Sequence, residues 1–100
     1  MARFDFIAVY LLANRKNGAL YCGVTSDLPA RLDQHKRRAG SVFTAKYGHT
    51  KLVWYERHDT MPPALQRERR IKTWKRQWKI NLIEEHNPDW EDLSATLPYG

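Results

Sequence analysis

Cysteine is nearly missing from this chain: Cys22 is the one thiol among 100 residues. An internal disulfide is therefore excluded, a zinc centre built on several cysteines is excluded with it, and a lone thiol suits a reducing compartment. Long apolar runs are missing too. The stretch from Phe6 to Ala13 falls well short of the roughly 18–20 residues that a membrane span requires, and Arg3 and Asp5 interrupt the segment where a signal peptide would be apolar. The expectation is a soluble, cytoplasmic protein with no membrane partner. Glycine and proline are absent from Ala64 to Glu85, so no helix breaker lies in that span. Acid is scarce there as well. Between Ala64 and Lys79, Glu68 is the one carboxylate against seven of the chain's 17 Lys and Arg.

What is present is enough for one core. Hydrophobic residues make up 42%, with four Trp and five Tyr, and the length suits one domain spanning 1–100 rather than two. The formal charge of +6 calls for an anionic partner, but charge alone admits nucleic acid, headgroups or simple solubility.

The first half of the chain reads as a hairpin followed by a helix. Phe6 to Leu12 is apolar on both faces, as a strand covered on both sides would be. Asn14-Arg15-Lys16-Asn17-Gly18 has turn chemistry, because Asn and Gly tolerate positive φ. Ala19 to Thr25 returns antiparallel, and Gly23 within it suggests a bulge or a close backbone approach to a ligand. Ser26 or Asp27 can cap a helix that takes Pro29 in its first turn and ends near Gly40. On it Leu28, Leu32 and His35 lie on neighbouring faces, and Arg31 stands one turn before His35. Ser41 to Thr50 shows no period and reads as a loop with half a turn of helix near Lys46-Tyr47-Gly48-His49.

The second half adds one strand and then helix. Leu52-Val53-Trp54-Tyr55 is a strand by composition. Asp59 or Thr60 caps a helix that accepts Pro62 and Pro63 at its start. Ala64 to Glu85 divides best into two helices with a bend near Thr73, since so small a domain gives little support to a long rod. Asn87-Pro88 stops the second helix, and Trp90 and Leu93 fold the tail back. Ala64 and Ile71, with Trp78 and Leu82 further along, define the buried side. Arg67, Arg69, Arg70, Lys72, Lys75 and Arg76 suit phosphate contact, with Trp74 and Trp78 interleaved for stacking. The plain alternative is a solvated helix face with two core tryptophans.

Glu68 is different from its neighbours. At about 100° per residue it projects within roughly 40–60° of Ala64 and Ile71. A carboxylate at the edge of an apolar stripe needs a partner. Arg31 or a nearby basic residue could be that partner; a hard divalent cation such as Mg²⁺ is the functional option. His49, His58 and His86 show no metal spacing.

Taken in order, these residues resemble the GIY-YIG endonuclease superfamily, in particular its small, stand-alone, single-domain bacterial members. The name-giving motifs stand here as Ala8-Val9-Tyr10 and Tyr21-Cys22-Gly23. The match continues through Thr25-Ser26-Asp27-Leu28, Arg31 and His35, Phe43-Thr44-Ala45-Lys46-Tyr47-Gly48, and Leu52-Val53-Trp54-Tyr55-Glu56. Arg67-Glu68, Ile71-Lys72-Thr73-Trp74 and Asn87-Pro88-Asp89-Trp90 complete it. Ala8 stands where the family has glycine and Cys22 where it has isoleucine, both changes a strand can absorb.

The resemblance implies an α+β fold, a small three-stranded antiparallel sheet flanked by about three to four helices. It implies a site on the sheet's face made by Tyr10, Tyr21, Arg31, His35 and Glu68, with one divalent metal, Mg²⁺ or Mn²⁺, on Glu68 and support from Asn87. It implies hydrolysis of phosphodiester bonds in DNA, branched or single-stranded forms included, as in DNA repair or processing. Phosphodiester hydrolysis needs activated water and stabilised phosphoryl charge. Arg31 offers a planar donor pair that stays protonated, and a phenol needs adjacent positive charge to act as a base. Which tyrosine does so stays open. The rival expectation is a nucleic-acid-binding module that uses the basic face without cutting.

Overall fold

A computed structural model describes residues 6–37 and 51–97. The elements are β1 (Ala8–Ala13), β2 (Leu20–Thr25), α1 (Leu28–Arg37), β3 (Lys51–Arg57), α2 (Met61–Thr73) and α3 (Arg76–His86), followed by a 3₁₀ turn at Leu93–Thr96. The three strands form one antiparallel sheet in the order β2-β1-β3. The expected α+β class, with three strands and flanking helices, is therefore what the chain adopts. The loop expected at 41–50, the end of the helix near Gly40 and the Phe43-to-Gly48 motif lie outside the described residues.

The central strand explains the layering. Every residue of β1 is buried, because helices cover both faces of the sheet. Ala8, Tyr10 and Leu12 point to one side and pack with Leu28 and Leu32 of α1. Val9, Leu11 and Ala13 point to the other and pack with Ala64 and Ile71 of α2 and Ile83 of α3. That alternation is the two-residue period of a strand, and each buried leucine contributes about 2 kcal/mol by leaving water.

Local chemistry sets the ends of the elements. Asn17 adopts φ 58° in the hairpin turn, and the Asn14 Oδ1 accepts a hydrogen bond from the Ala19 amide at 2.8 Å. Asp27 caps α1, its Oδ1 accepting from the Ala30 amide at 3.2 Å. Thr60 occupies the cap position of α2, yet its side chain makes no capping bond. The second and third helical residues, which would donate to it, are Pro62 and Pro63, and neither has an N–H.

The break between α2 and α3 falls at Trp74, whose backbone is extended (φ −70°, ψ 151°). It resets the helical phase, and here one expectation is corrected. Trp78 is not on the buried side: it is 52% exposed, and Ile83 is the buried residue of α3. Beyond α3 the chain turns at Asn87, drops Trp90 into the α2–α3 side of the core, and carries Leu93 and Leu97 round to the α1 side. On the way the Asp92 Oδ1 accepts from the Leu52 amide at 3.2 Å, and Asn87 Nδ2 donates to the Val53 carbonyl at 3.0 Å. Both bonds clasp β3, an edge strand that would otherwise present unpaired backbone.

Candidate active site

β1 and β2 bring the two motif tyrosines together. Leu12 pairs with Tyr21 and Tyr10 with Gly23, so both phenols lie on the α1 face of the sheet. The register across Gly23 is unbroken; the irregularity in β1 occurs between Leu11 and Leu12, against β3. The bulge expected at Gly23 is thus absent, and the close approach there comes from the protein itself. A Cβ at this position would stand 2.6 Å from the Tyr10 hydroxyl oxygen and 3.0 Å from Cε2 of Tyr21. Glycine is the side chain that leaves room for both rings.

α1 supplies the polar groups above them. Its Leu28 and Leu32 anchor it to the sheet, which turns His35 inward. The rings of Tyr10, Tyr21 and His35 form a triangle, with centroids 6.2 Å apart for Tyr10–Tyr21, 6.2 Å for Tyr10–His35 and 5.8 Å for Tyr21–His35. The Tyr10 hydroxyl meets His35 Nε2 at 3.4 Å, while His35 Nδ1 is buried without a partner among the described residues. The Arg31 charge interacts with both phenols, Tyr10 foremost, and this raises a guanidinium pKa that is already high. Arg31 Nη1 donates to Gln34 Oε1 at 3.3 Å. Gln34 escaped the sequence reading, although three-residue spacing on a helix was the available signal.

Burial decides the protonation states. Tyr10 is 0% exposed, and burial pushes its hydroxyl up to about 12 in spite of Arg31. His35 is pulled below its usual 6.5, first by burial and then by the Arg31 charge. It is therefore neutral at pH 7, and its Nε2 serves Tyr10 as acceptor or donor according to tautomer. Tyr21 is half-buried and is the phenol that solvent or substrate reaches.

Glu68 stands on the other side of the sheet. It projects from α2, the helix packed against Val9, Leu11 and Cys22. Burial and the Glu68 charge together push the Cys22 thiol up to about 11, which makes that thiol inert at neutral pH. The Glu68 side chain is 13% exposed, and its Oε2 receives Lys72 Nζ at 2.9 Å. The plain alternative, a salt bridge to Arg31 or a nearby basic residue, is met here by Lys72. Of the five residues expected on one face, four gather on the α1 side; Glu68 comes from α2, and its partner Lys72 stands within electrostatic reach of Tyr21 and Cys22 on β2. α2 buries Ala64 and Ile71 against the odd-numbered residues of β1. β2, an edge strand, separates the two sides, with Tyr21 facing one and the adjacent Cys22 the other.

A family profile for the GIY-YIG catalytic domain matches residues 6–81. The chain belongs to the GIY-YIG family. UPF0213 proteins of Staphylococcus aureus strains Mu3 and Mu50 are each 41% identical over 69 residues, covering 69% of this chain and 84% of theirs. The UPF0213 protein BH0048 from Bacillus halodurans, solved by solution NMR, superposes with a TM-score of 0.55 at 27% identity. That match covers 86% of this chain and 90% of that one. Membership suggests a nuclease-like function and implies a nucleic-acid substrate in general.

The remaining residues expected at the GIY-YIG site are spread over several tasks. Asn87 is buried, and its amide donates to the Val53 and Glu91 carbonyls and accepts from the Glu91 amide. Any support it gives the site is exerted through β3. Arg76 donates to the Asn17 and Gly18 carbonyls at 2.8 and 2.7 Å, pinning α3 to the hairpin turn. Arg67 pairs with Glu56 at 3.2 Å and lies over Trp74. Lys75 lies over Trp78, and Arg69 and Arg70 are exposed.

Among the described residues no three His, Cys, Asp or Glu side chains gather to hold a metal ion. One carboxylate completed by water and substrate oxygens is a donor set that suits Mg²⁺, and Glu68 is the residue that could supply it. Its present partner Lys72 is 53% exposed, so solvent reaches the ammonium while the carboxylate itself is largely buried.

Proposed function

We propose that the protein is a metal-dependent endonuclease that hydrolyses phosphodiester bonds in DNA. The observation that carries this reading is the Tyr10–Tyr21–His35 triangle with the Arg31 charge beside both phenols. A folded core does not need that much polar equipment at one place, and among the described residues the buried His35 Nδ1 has no partner, a cost that packing alone leaves unexplained.

A strand laid over the β2 edge meets Tyr21 and Arg31 on one side and Glu68 on the other. Arg31 binds the phosphoryl oxygens with a fixed positive charge and orients the phosphate. Tyr21 is the half-buried phenol of the pair and contacts and orients the attacking water. Tyr10 is a positioning residue. Sealed from solvent, it holds Arg31 in place and is itself held by neutral His35. Glu68 would hold a divalent cation, Mg²⁺ or Mn²⁺, which would supply charge stabilisation to the phosphate in the transition state. Arg69, Arg70 and their basic neighbours hold the flanking phosphates.

The test uses supercoiled, branched and single-stranded DNA with Mg²⁺ or Mn²⁺, and with chelator. Metal-dependent nicking should fall by about 10²–10⁴-fold in Glu68→Ala, Arg31→Ala and Tyr21→Phe. Nicking that survives both alanine substitutions overturns the assignment. The Glu68–Lys72 pair favours one other reading, a basic module that binds DNA without cutting. That reading expects salt-dependent binding and no metal-dependent nicking under any of these conditions.

A further inference from the structure

The break at Trp74–Lys75 leaves an unexplained feature outside the site. Trp74 and Trp78 meet edge to face, their centroids 6.2 Å apart and their planes at 77°. They form a corner, and with Leu82, Asn81 and Glu85 they line a groove of about 290 Å³. Leu82 gives the groove an apolar lining. Asn81 uses its Oδ1 to accept from Gln77 Nε2 at 2.9 Å, which leaves the amide protons as donors at the rim. Trp78 is 52% exposed, the largest apolar side chain the described residues offer to solvent.

Cations border this corner. The Arg67 guanidinium lies 5.4 Å over Trp74 and the Lys75 ammonium 5.9 Å over Trp78. Positive charge beside open indole faces complements a ligand that combines a flat aromatic surface with a phosphate. A folded apolar peptide would use the indoles and leave the charge unmatched. A perfect duplex would meet the charge but keep its bases stacked and out of reach.

We propose that the Trp74–Trp78 groove is a stacking site for an unpaired nucleobase of a DNA strand. The base lies on the exposed Trp78 with its edge toward Asn81 and Glu85, and Lys75 takes the adjoining phosphate. The inference rests on the nucleic-acid reading above and deepens it, because it gives the protein a preference for locally unpaired DNA.

The experiment measures binding in chelator, so that no strand is cut. Three probes of equal length are used: oligo(dT), an abasic oligonucleotide with the same backbone, and a perfect duplex. Oligo(dT) should quench indole fluorescence and bind roughly ten-fold tighter than the abasic strand. Trp78→Ala should remove that difference and Trp78→Phe should restore most of it. Trp78 is half-exposed, so its removal should leave the circular dichroism spectrum and thermal midpoint near those of the parent, which establishes that the variant is folded. Equal binding of oligo(dT) and the abasic strand by the parent overturns the groove, as does equal weakening of both probes in Trp78→Ala. The failure of the underlying reading looks different: none of the three probes then binds in a salt-dependent way.

Discussion

Tyr10 is the residue on which the proposed catalytic side turns, and its chemistry can be read from stability. Burial keeps its hydroxyl protonated to about pH 12, where the free phenol ionises at 10.0. Its raised pKa therefore contributes stability that is complete below pH 10 and lost as pH rises from 10 to 12. By linkage that contribution is about 2–3 kcal/mol. Chemical unfolding followed across this window should show the decline in the parent, and a shallower one in Tyr10→Phe. Cys22 adds to the same alkaline slope, its thiol being held up to about 11 from 9.0. Gly23 makes the complementary case. Gly23→Ala must push the Tyr10 ring from its place, and overpacking of this kind costs about 1–3 kcal/mol. A denaturant midpoint equal to the parent's would show that the rings move freely. That outcome would also end the claim that Gly23 serves the tyrosine pair.

At the scale of elements, the division of the basic segment decides which cations are free for DNA. One continuous helix would have carried Trp78 onto the face defined by Ala64 and Ile71; the break at Trp74 turns it outward. The same break sends Arg76 back to the hairpin, where it donates to two carbonyls of the turn. Arg76→Ala should therefore lower stability by about 1 kcal/mol, or roughly 4–8 °C in thermal midpoint. Arg69→Ala should leave the midpoint unchanged and reduce the salt slope of DNA binding by about one. A reversal of these two phenotypes would refute the assignment of Arg76 to the turn.

For the whole molecule, the tail is what holds the two edges of the sheet to different duties. Asn87 and Asp92 clasp β3, so that edge is closed, while β2 stands between Tyr21 and the α2 side bearing Glu68. Trp90 sits in the core at φ 56°, a left-handed conformation that a bulky side chain rarely takes, with its Nε1 donating to Glu84 at 2.8 Å. Asn87→Ala strips two donors and an acceptor from this clasp and leaves the Val53 carbonyl buried and unpaired. A loss of about 2–4 kcal/mol is expected, with the tail amides exchanging hydrogen faster than those of β1. Uniform exchange throughout the sheet would instead make the tail part of one cooperative unit.

Sequence by itself determined the strands, the turn chemistry, the α1 cap and the division of the second half into two helices. Each of those rests on local preferences: a two-residue apolar period, Asn and Gly in the turn, Asp27 before Leu28, Asn87-Pro88 after His86. The hairpin and the helical turn that carry Tyr10, Tyr21, Arg31 and His35 are local as well, while the role expected of those residues came from the family resemblance. Tertiary structure decided what spacing cannot reach. Which face of the sheet α2 covers fixed Glu68 on the far side of β2. How deeply each phenol is sealed separated Tyr10 from Tyr21. Two extended residues, Trp74 and Lys75, re-phased the helix after them and brought Trp78 into solvent. Those outcomes depend on packing between elements distant in the chain, and no local pattern encodes them.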